Sequence, residues 1–402
     1  MTILSFDDLR FEEKDDTIRV TFKNLFYFEL NKKQLEVIGS YTVTSSSIIF
    51  KDVAEKRAFS RFNILLSSGM SDLKSRLTGK EAIYIHQNSG IPLIGTNYFG
   101  IIDRGTNIIE LKPMNGCNLD CIYCSVDEGF SSTRLVDYIV EKDYLVSEFK
   151  KLLDFKASDS IHALIAGQGE TLLYPDIIDL VGDLAKIQYV KNITIITNGI
   201  MLTRELIDTL VDKGLTRLNI SINSLEQELA DKIANRVYNL KKVKEMIRYA
   251  SKKLEVVLVP VLLPTINDTE IPKIIDFAKE IKEQGGDIRL GIQNFLNYRF
   301  GRNPVKQISW EQFYARLSEM QGLKDMPLIY KEEILIETRE LTKPFRKGQL
   351  INARVVCNGR IKNEKLAVAD GRVLSVLNCK KDGDIKVRII RIKHNIFAGI
   401  VK

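Results

Sequence analysis

Short runs of alternating apolar and polar residues fill the first 94 positions of the chain. Thr17–Phe22, Leu25–Leu30 and Ile83–His86 each show the two-residue period of a strand buried on one face. Between them, Asp52–Leu77 places its apolar residues at helical spacing. The pattern predicts a small α+β domain over residues 1–94.

The pattern changes over residues 95–325, where short β-rich apolar runs alternate with longer amphipathic stretches. The apolar runs are Ile108–Leu111, Ile161–Ala166, Ile193–Ile196, Arg217–Ile222, Glu255–Val261 and Ile288–Ile292. The helical stretches lie near Ile139–Leu153, Asp176–Ile187, Arg204–Lys213, Leu240–Lys253, Ile271–Glu283 and Trp310–Met320. These strand–helix repeats predict an α/β fold of parallel strands joined by helical crossovers. Such folds carry their functional groups at the carboxyl ends of the strands, so chemical motifs are expected directly after the apolar runs.

Residues 346–402 are rich in Val and Ile and are interrupted by three turn signals. Asn358-Gly359, Asp370-Gly371 and Asp382-Gly383 are dipeptides of the kind that close hairpins. Several short strands in so brief a segment predict a small β-barrel. Met326–Lys347 is predicted to be a connector.

The net charge of +7 is concentrated in the C-terminal segment. Arg346–Lys402 contains fourteen Lys and Arg against four Asp and Glu, a net charge of +10 that leaves −3 for the rest of the chain. This asymmetry favours an anionic partner, of which nucleic acid is the usual example. An ordinary Lys-rich surface is the alternative explanation.

No segment of the sequence predicts secretion or membrane insertion. The N-terminus has no basic stretch followed by an apolar one. The most apolar run, Val256–Ile266, contains two prolines and is too short to span a bilayer. The sequence therefore predicts a cytoplasmic protein with no membrane partner.

Three of the five cysteines, Cys117, Cys121 and Cys124, fall within eight residues. In a cytoplasmic chain such clustering indicates metal or redox chemistry rather than a disulfide framework. Three thiolates on a short loop suit one face of a [4Fe-4S] cluster, which leaves the fourth iron open to another ligand. A structural zinc ion is the alternative, but it needs a fourth ligand, and the chain's three histidines are distant in sequence.

Gly116–Cys124 resembles the signature of the radical S-adenosylmethionine (SAM) superfamily, CxxxCxxC with an aromatic residue, here Tyr123, before the last cysteine. The resemblance runs through the central region and implies a partial (β/α)6 TIM-type barrel. It implies that Cys117, Cys121 and Cys124 ligate a [4Fe-4S] cluster and that SAM binds the open iron. Reductive cleavage of SAM would then form a 5′-deoxyadenosyl radical, with a ferredoxin or flavodoxin as the expected electron donor.

Polar motifs after the other strands match further SAM contacts of the superfamily. Gly167-Gln168-Gly169-Glu170 follows the second strand and looks like the GGE motif that contacts the SAM amino group, although Gln168 separates its glycines. Thr197-Asn198-Gly199 follows the third strand. Ser221-Ile222-Asn223 ends the fourth strand and matches the superfamily's polar residues near the SAM ribose and carboxylate, and Gln293-Asn294 follows the sixth strand, near where the superfamily holds adenine. The resemblance predicts a SAM site formed by Tyr123, Gly167, Gln168, Gly169, Glu170, Asn198, Ser221, Asn223 and Gln293.

The C-terminal segment resembles a TRAM domain, a small β-barrel found in several RNA-modifying enzymes. The matching stretches are Leu366–Val376, Lys381–Val387 and Ile392–Ile400. As a whole, the chain resembles a group of archaeal radical SAM proteins that have a small N-terminal domain and a C-terminal TRAM-like barrel. The resemblance implies an RNA substrate, with tRNA expected, bound through phosphate contacts of the basic barrel.

Two other functions remain open. The first is a radical SAM enzyme that acts on a protein, lipid or metabolite, with the barrel as an accessory module. The second is an RNA-binding protein whose Fe–S centre is structural or redox-sensing. The loop Arg299–Arg302, beyond the sixth strand, is either a contact for an anionic substrate or a solvated loop.

Overall fold

The computed structural model describes residues 1–329 and 335–402, so part of the predicted connector Met326–Lys347 lies outside the described residues. The chain forms two compact units, Met1–Ile85 with Leu135–Ile139, and His86–Arg134 with Val140–Lys402. This division differs from the predicted ranges 1–94, 95–325 and 346–402. The C-terminal barrel groups with the central region, and a short stretch of the central sequence joins the first unit.

The first unit combines antiparallel strands with two helices. Its elements are β1 (Thr2–Ser5), β2 (Leu9–Glu13), β3 (Thr17–Phe22), β4 (Phe26–Asn31), α1 (Lys32–Glu36), β5 (Tyr41–Val43), β6 (Ser47–Phe50), α2 (Glu55–Ser71), β7 (Lys74–Ser75) and β8 (Glu81–Ile85). The predicted strands correspond to β3, β4 and β8, and the predicted helix corresponds to α2. Phe62 of α2 is fully buried and packs against the Phe11 and Phe50 rings.

The second unit contains the predicted strand–helix repeats. Its strands up to the barrel are β9 (Gly100–Asp103), β10 (Ile108–Lys112), β11 (Asn115–Gly116), β13 (Ile161–Ile165), β14 (Gln168–Gly169), β15 (Val190–Thr197), β16 (Arg217–Ile220), β17 (Glu255–Leu258), β18 (Val261–Leu262), β19 (Ile288–Leu290) and β20 (Gln293–Asn294). The strand β12 (Val136–Val140) falls within this part of the sequence, but its residues up to Ile139 belong to the first unit. Its helices are α3 (Lys142–Lys156), α4 (Ile177–Ala185), α5 (Arg204–Asp212), α6 (Gln227–Ala234), α7 (Leu240–Ala250), α8 (Glu270–Glu283) and α9 (Trp310–Lys324).

The central sheet has the order β19-β17-β16-β15-β13-β10-β9. Six of its strands are parallel and follow one another in chain order, and β9 pairs antiparallel with β10 at one edge. In the sequence, each parallel strand is connected to the next by a segment that contains at least one helix, as in a partial (β/α)6 barrel. The predicted six-strand α/β core is thus confirmed. Its carboxyl edge gathers the segments that follow β10, β13, β15, β16 and β19.

One predicted helix begins later than expected. The pattern placed it at Ile139–Leu153, but residues 136–140 form the strand β12, and α3 begins at Lys142. Every residue of β12 is buried, and the strand pairs in the sheet β12-β8-β7-β4-β3-β2. A short apolar run fits either structure, and here the open sheet edge decided for a strand. The strand β9 and the helix α6 were not predicted.

The C-terminal segment forms a closed five-stranded barrel, as predicted. Its strands are β21 (Leu350–Asn358), β22 (Lys365–Ala369), β23 (Arg372–Leu377), β24 (Asp384–Arg391) and β25 (Ala398–Val401), in the order β21-β22-β23-β25-β24. Asp370-Gly371 closes a two-residue turn between β22 and β23 with both φ angles positive. The other two turn dipeptides do not close such turns. Asn358-Gly359 opens a longer connection, and Asp382-Gly383 precedes β24, which pairs with β21 and β25.

Candidate active site

The three cysteines lie on a loop that leaves the carboxyl end of β10. The loop is anchored at its start, where β11 pairs in parallel with β14 through Asn115↔Gln168 and Gly116↔Gly169. Gly169 has a φ of +142°, and a Cβ there would lie 2.0 Å from the carbonyl oxygen of Gly116. Only glycine fits so close a contact between two backbones. The glycine after β13 therefore fixes the start of the cysteine loop.

Backbone N–H groups point at two of the cysteine sulfurs. Leu119 N–H donates to Cys117 Sγ at 3.4 Å, and Glu128 N–H donates to Cys124 Sγ at 3.3 Å. Burial raises the pKa of the Cys117 and Cys124 thiols, and it raises the pKa of Cys121 to about 12. The loop thus combines shielding from water with donors that stabilise a sulfur anion once a metal is bound.

This donor set fits an iron–sulfur cluster. Soft thiolates are the usual ligands of Fe–S clusters, and hydrogen bonds to the ligand sulfurs are part of such sites. Within residues 1–329 and 335–402, no three His, Cys, Asp or Glu side chains converge on a site for a single metal ion. A cubane cluster has a different requirement, because each thiolate binds a separate iron.

Arg302, which lies beyond β20 in the sequence, stabilises the cysteine loop by hydrogen bonds. Its guanidinium donates to the carbonyl oxygens of Cys121 at 3.0 Å and Glu128 at 2.8 Å, and to Asp127 Oδ1 at 2.6 Å. The preceding Gly301 lies so close that a Cβ would be 2.8 Å from the Ser125 carbonyl oxygen. The expectation that Arg299–Arg302 is a substrate contact or a solvated loop is thus wrong for Arg302, which braces the cysteine loop.

Glu170, in the segment that follows β13, contacts the residues at the end of β15. Its buried carboxylate accepts hydrogen bonds from Leu172 N–H at 2.9 Å, Thr197 Oγ1 at 2.6 Å and Asn198 N–H at 2.7 Å. Burial raises the pKa of Glu170 even though these donors oppose the shift. The side chain is occupied by contacts within the protein, whereas the Gly167 and Gly169 backbone lies at the partly exposed surface of the motif.

Two of the other predicted polar residues, Asn198 and Asn223, are linked to the cysteine loop by side-chain hydrogen bonds. Asn198 Nδ2 donates to Asn118 Oδ1 at 2.7 Å, and Asn223 Nδ2 donates to the Tyr123 hydroxyl at 2.7 Å. The Asn223 oxygen accepts from Val261 N–H at 2.8 Å. The segments that follow β15 and β16 thus both contact the loop that carries the cysteines.

Tyr238 links the segments that follow β15 and β16 by hydrogen bonds, and the sequence analysis did not predict this role. Its hydroxyl donates to the carbonyl oxygens of Asn198 at 2.8 Å and Ser221 at 3.1 Å. Burial raises the pKa of Tyr238, so the hydroxyl remains a donor. Tyr238 lies in the link between α6 and α7, outside any motif, so no local signal marked it.

Gln293 lines a pocket beside the cysteine loop. The pocket has a volume of about 570 Å³, and Tyr123 and Ser125 of the loop also line it. Asn294 Oδ1 is buried there without a hydrogen-bond partner in the described part of the chain. Trp310 and Tyr314 also line the pocket, and their rings stack with centroids 6.0 Å apart and are about half exposed. The pocket therefore offers aromatic faces beside the cysteine loop.

The outer face of the barrel carries basic side chains. Lys386 and Arg388 alternate with buried residues along β24, and Arg354 is exposed on the neighbouring strand β21. None of the three forms an ion pair with another residue in the described ranges. These three residues are called the basic face below. Their charges are available to a partner outside the chain.

Comparisons with known proteins show the family of the chain. The family model described as the radical SAM superfamily matches residues 111–278. An uncharacterized protein of Methanocaldococcus jannaschii is 36% identical, over 96% of this chain and 96% of that protein. Within the described residues, no helix has both the length and the apolar character needed to cross a bilayer.

Relatives with a named activity match a shorter part of the chain. GTP 3′,8-cyclase of Chlorobaculum tepidum is 29% identical over 49% of this chain and 56% of that protein. The corresponding enzyme of Listeria monocytogenes is 33% identical over 44% of this chain and 52% of that protein. The chain thus spans about half the length of these relatives. Among solved structures, Streptococcus suis SuiB is 13% identical with a TM-score of 0.43, covering 81% of this chain and 70% of that chain.

Proposed function

Since the chain belongs to the radical SAM superfamily of enzymes, we propose that it modifies RNA, with tRNA as the expected substrate. The superfamily uses a [4Fe-4S] cluster and SAM, which together supply radical initiation through reductive cleavage of SAM. The residues described above would hold these groups, and the barrel would bind the RNA. The basic face of the barrel is the observation that carries the proposal.

The cysteine loop would bind the cluster. Cys117, Cys121 and Cys124 provide its three ligands, and the N–H groups of Leu119 and Glu128 stabilise two of the sulfurs. Arg302 holds the loop closed through its backbone carbonyl groups. A ferredoxin or flavodoxin is the proposed electron donor.

The carboxyl edge of the sheet would bind SAM. The backbone at Gly167–Glu170 would contact SAM together with the polar groups of Asn198, Ser221 and Asn223, of which Asn198 and Asn223 also contact the cysteine loop. Tyr123 and Gln293 line the pocket beside the cysteine loop, where they would contact the adenine of SAM. Glu170 and Tyr238 would position Asn198 and Ser221 by hydrogen bonds within the protein.

Two features support an RNA substrate. Arg354, Lys386 and Arg388 present positive charge that no residue of 1–329 or 335–402 pairs, and such charge binds phosphate groups in a salt-dependent way. The half-exposed stack of Trp310 and Tyr314 borders the pocket and provides an aromatic surface on which a nucleobase can stack. Phosphate contacts at the barrel and base stacking near the cluster would together place one nucleotide at the reacting centre.

A small nucleotide is a second candidate substrate. The GTP 3′,8-cyclases, whose name states that they act on GTP, match 49% and 44% of this chain. In that case the pocket beside the cysteine loop would receive a free nucleotide, and the barrel would be an accessory module.

The deciding experiment measures 5′-deoxyadenosine formed by the anaerobically reconstituted protein with SAM and a strong reductant. Bulk tRNA, GTP or no substrate is added in parallel reactions. At least tenfold faster formation with tRNA alone is the expected result. Stimulation by GTP alone would shift the proposal to a free nucleotide. Equal rates in all three reactions would remove RNA as the substrate. No product from a fully loaded cluster would point to an RNA-binding protein with a structural or redox-sensing centre.

A further inference from the structure

A buried ion pair links the C-terminal barrel to the cysteine loop. The Arg360 guanidinium contacts both carboxylate oxygens of Glu128, with Nη2 donating to Oε2 at 3.0 Å and Nη1 donating to Oε1. The side chains are only 1% and 2% exposed. The two residues are 232 positions apart in sequence. A charged pair so fully removed from water is retained only if its geometry is well satisfied, because each charge alone would be strongly destabilising.

Glu128 is also a direct neighbour of the proposed cluster. Its own backbone N–H is the group that donates to Cys124 Sγ at 3.3 Å. The carbonyl oxygen of Glu128 accepts from Arg302 at 2.8 Å. Glu128 is therefore held at both its side chain and its main chain, by one arginine from the barrel and one from the loop beyond β20. Its N–H direction depends on both contacts.

Arg360 is buried in the connection between β21 and β22, so it does not belong to the basic face. Gly359 before it packs so tightly that a Cβ would lie 2.3 Å from the Glu364 side chain. Glu364 in turn accepts a hydrogen bond from the Tyr98 hydroxyl at 2.8 Å. The connection is thus fixed on both sides of Arg360, which aims the guanidinium at the cysteine loop.

We propose that Arg360 is a positioning residue for the cluster. By holding Glu128, it aligns the N–H···S hydrogen bond to Cys124, so the barrel helps to set the reduction potential of a centre in another part of the chain. Hydrogen bonds to the ligand sulfurs favour the more negative, reduced cluster and raise its potential. Weakening the contact should therefore make the cluster harder to reduce. The inference goes beyond the RNA proposal and requires no RNA.

The test is a redox titration of the reconstituted full-length protein, followed by electron paramagnetic resonance without RNA. Arg360→Lys keeps the charge but loses the two-pronged contact with the carboxylate. We expect a full complement of iron and a reduced fraction at least threefold below that of the wild type at a fixed, partly reducing potential. The control is Lys156→Arg in a second buried pair, where Lys156 Nζ lies 2.7 Å from Asp103 Oδ1. Lys156→Arg should leave the reduced fraction of the cluster at each potential equal to that of the wild type.

A second variant keeps the test valid if Arg360→Lys loses its cluster. The double substitution Glu128→Gln with Arg360→Met removes both buried charges at similar side-chain volume, so folding should be retained. It should show the same shift toward a lower reduced fraction. A wild-type titration curve for either loaded variant would overturn the proposal and leave the pair with only an anchoring role. The tRNA-stimulation experiment is independent of this result, so the two proposals can fail separately.

Discussion

At the scale of single residues, the cysteine thiols are shielded by the loop that carries them. Burial is the largest cause of the raised pKa values of Cys117, Cys121 and Cys124. The thiolate is the form that binds metal, so these groups lose their protons when the cluster is inserted. The site is therefore protonated in the metal-free protein near neutral pH and becomes anionic only with its metal.

This predicts slow alkylation of Cys121 in the metal-free protein. With the pKa raised to about 12, the thiolate fraction at pH 8 is far below that of an ordinary cysteine. Reaction with iodoacetamide should be at least about tenfold slower than for the same residue in denaturant, and it should accelerate as the pH rises. Peptide mass spectrometry over a pH series measures both. Equal rates in folded and denatured protein would contradict the prediction.

A second prediction at the residue scale concerns Gly169. Alanine there would place its Cβ 2.0 Å from the Gly116 oxygen at a φ that alanine avoids, so the β11–β14 pairing should open. We expect Gly169→Ala to lower the free energy of unfolding by about 2 kcal/mol or more and to weaken SAM binding at least tenfold. Denaturant unfolding and equilibrium dialysis with SAM measure the two effects.

Gly322→Ala is the matched control, because a Cβ at this position in α9 has no neighbour within 4 Å. It should stabilise the protein by roughly 0.5–1 kcal/mol, since alanine is the better helix former. SAM affinity should not change. Wild-type SAM binding by Gly169→Ala would show that the strand pairing does not shape the site.

At the scale of elements, the alternation along β24 separates two roles of the barrel. Its buried positions Ile385, Val387 and Ile389 belong to the apolar core, while Lys386 and Arg388 point outward. A barrel wall thus supplies stability from one side and charge from the other. The two functions can be changed independently.

Reversing the charge of the basic face should weaken RNA binding without unfolding the barrel. Lys386→Glu with Arg388→Glu should lower tRNA affinity at least tenfold and reduce the salt dependence by about one to two phosphate contacts. Binding titrations over a series of salt concentrations measure both. The control is Lys150→Glu with Lys191→Glu, the same charge change at exposed positions of the central region. Equal losses in both variants would indicate a general charge effect rather than a binding face.

At the scale of the whole molecule, backbone hydrogen bonds attach the barrel to residues 94 and 95 of the second compact unit. Val373 N–H donates to the Ile94 carbonyl oxygen at 3.1 Å, and Phe397 N–H donates to that of Gly95 at 2.8 Å. Together with the Arg360–Glu128 pair, these contacts make the barrel part of the framework around the cysteine loop. Removing it is therefore more than the removal of a binding module.

Deletion of Gly348–Lys402 should consequently reduce cluster loading as well as RNA binding. Without Arg360, the carboxylate of Glu128 would lose its buried partner next to the Cys124 ligand. We expect at least a twofold lower iron content after reconstitution, measured by iron analysis and by the absorbance of the cluster. The surface variant Lys386→Glu with Arg388→Glu serves as the control and should load fully. A truncated protein with a full cluster would show that the barrel is dispensable for the site.

The sequence by itself determined the features that depend on local spacing. The six parallel strands and the small barrel follow from periodicity and turn signals, and the spacing of the three cysteines indicated metal or redox chemistry on their loop. Because parallel strands share a carboxyl edge, the sequence also placed the segments after five of them near one another. The basic character of the C-terminal segment was visible in its composition alone.

Only the tertiary structure decided which groups complete the site. Arg302 and Arg360 reach Glu128 across 174 and 232 positions, and Tyr238 bridges two strand ends from a link without a motif. The choice between strand and helix at 136–140 likewise depended on a distant sheet edge. Periodicity is a local property, whereas the partner of a buried charge or of an open strand edge is set by burial in the folded chain.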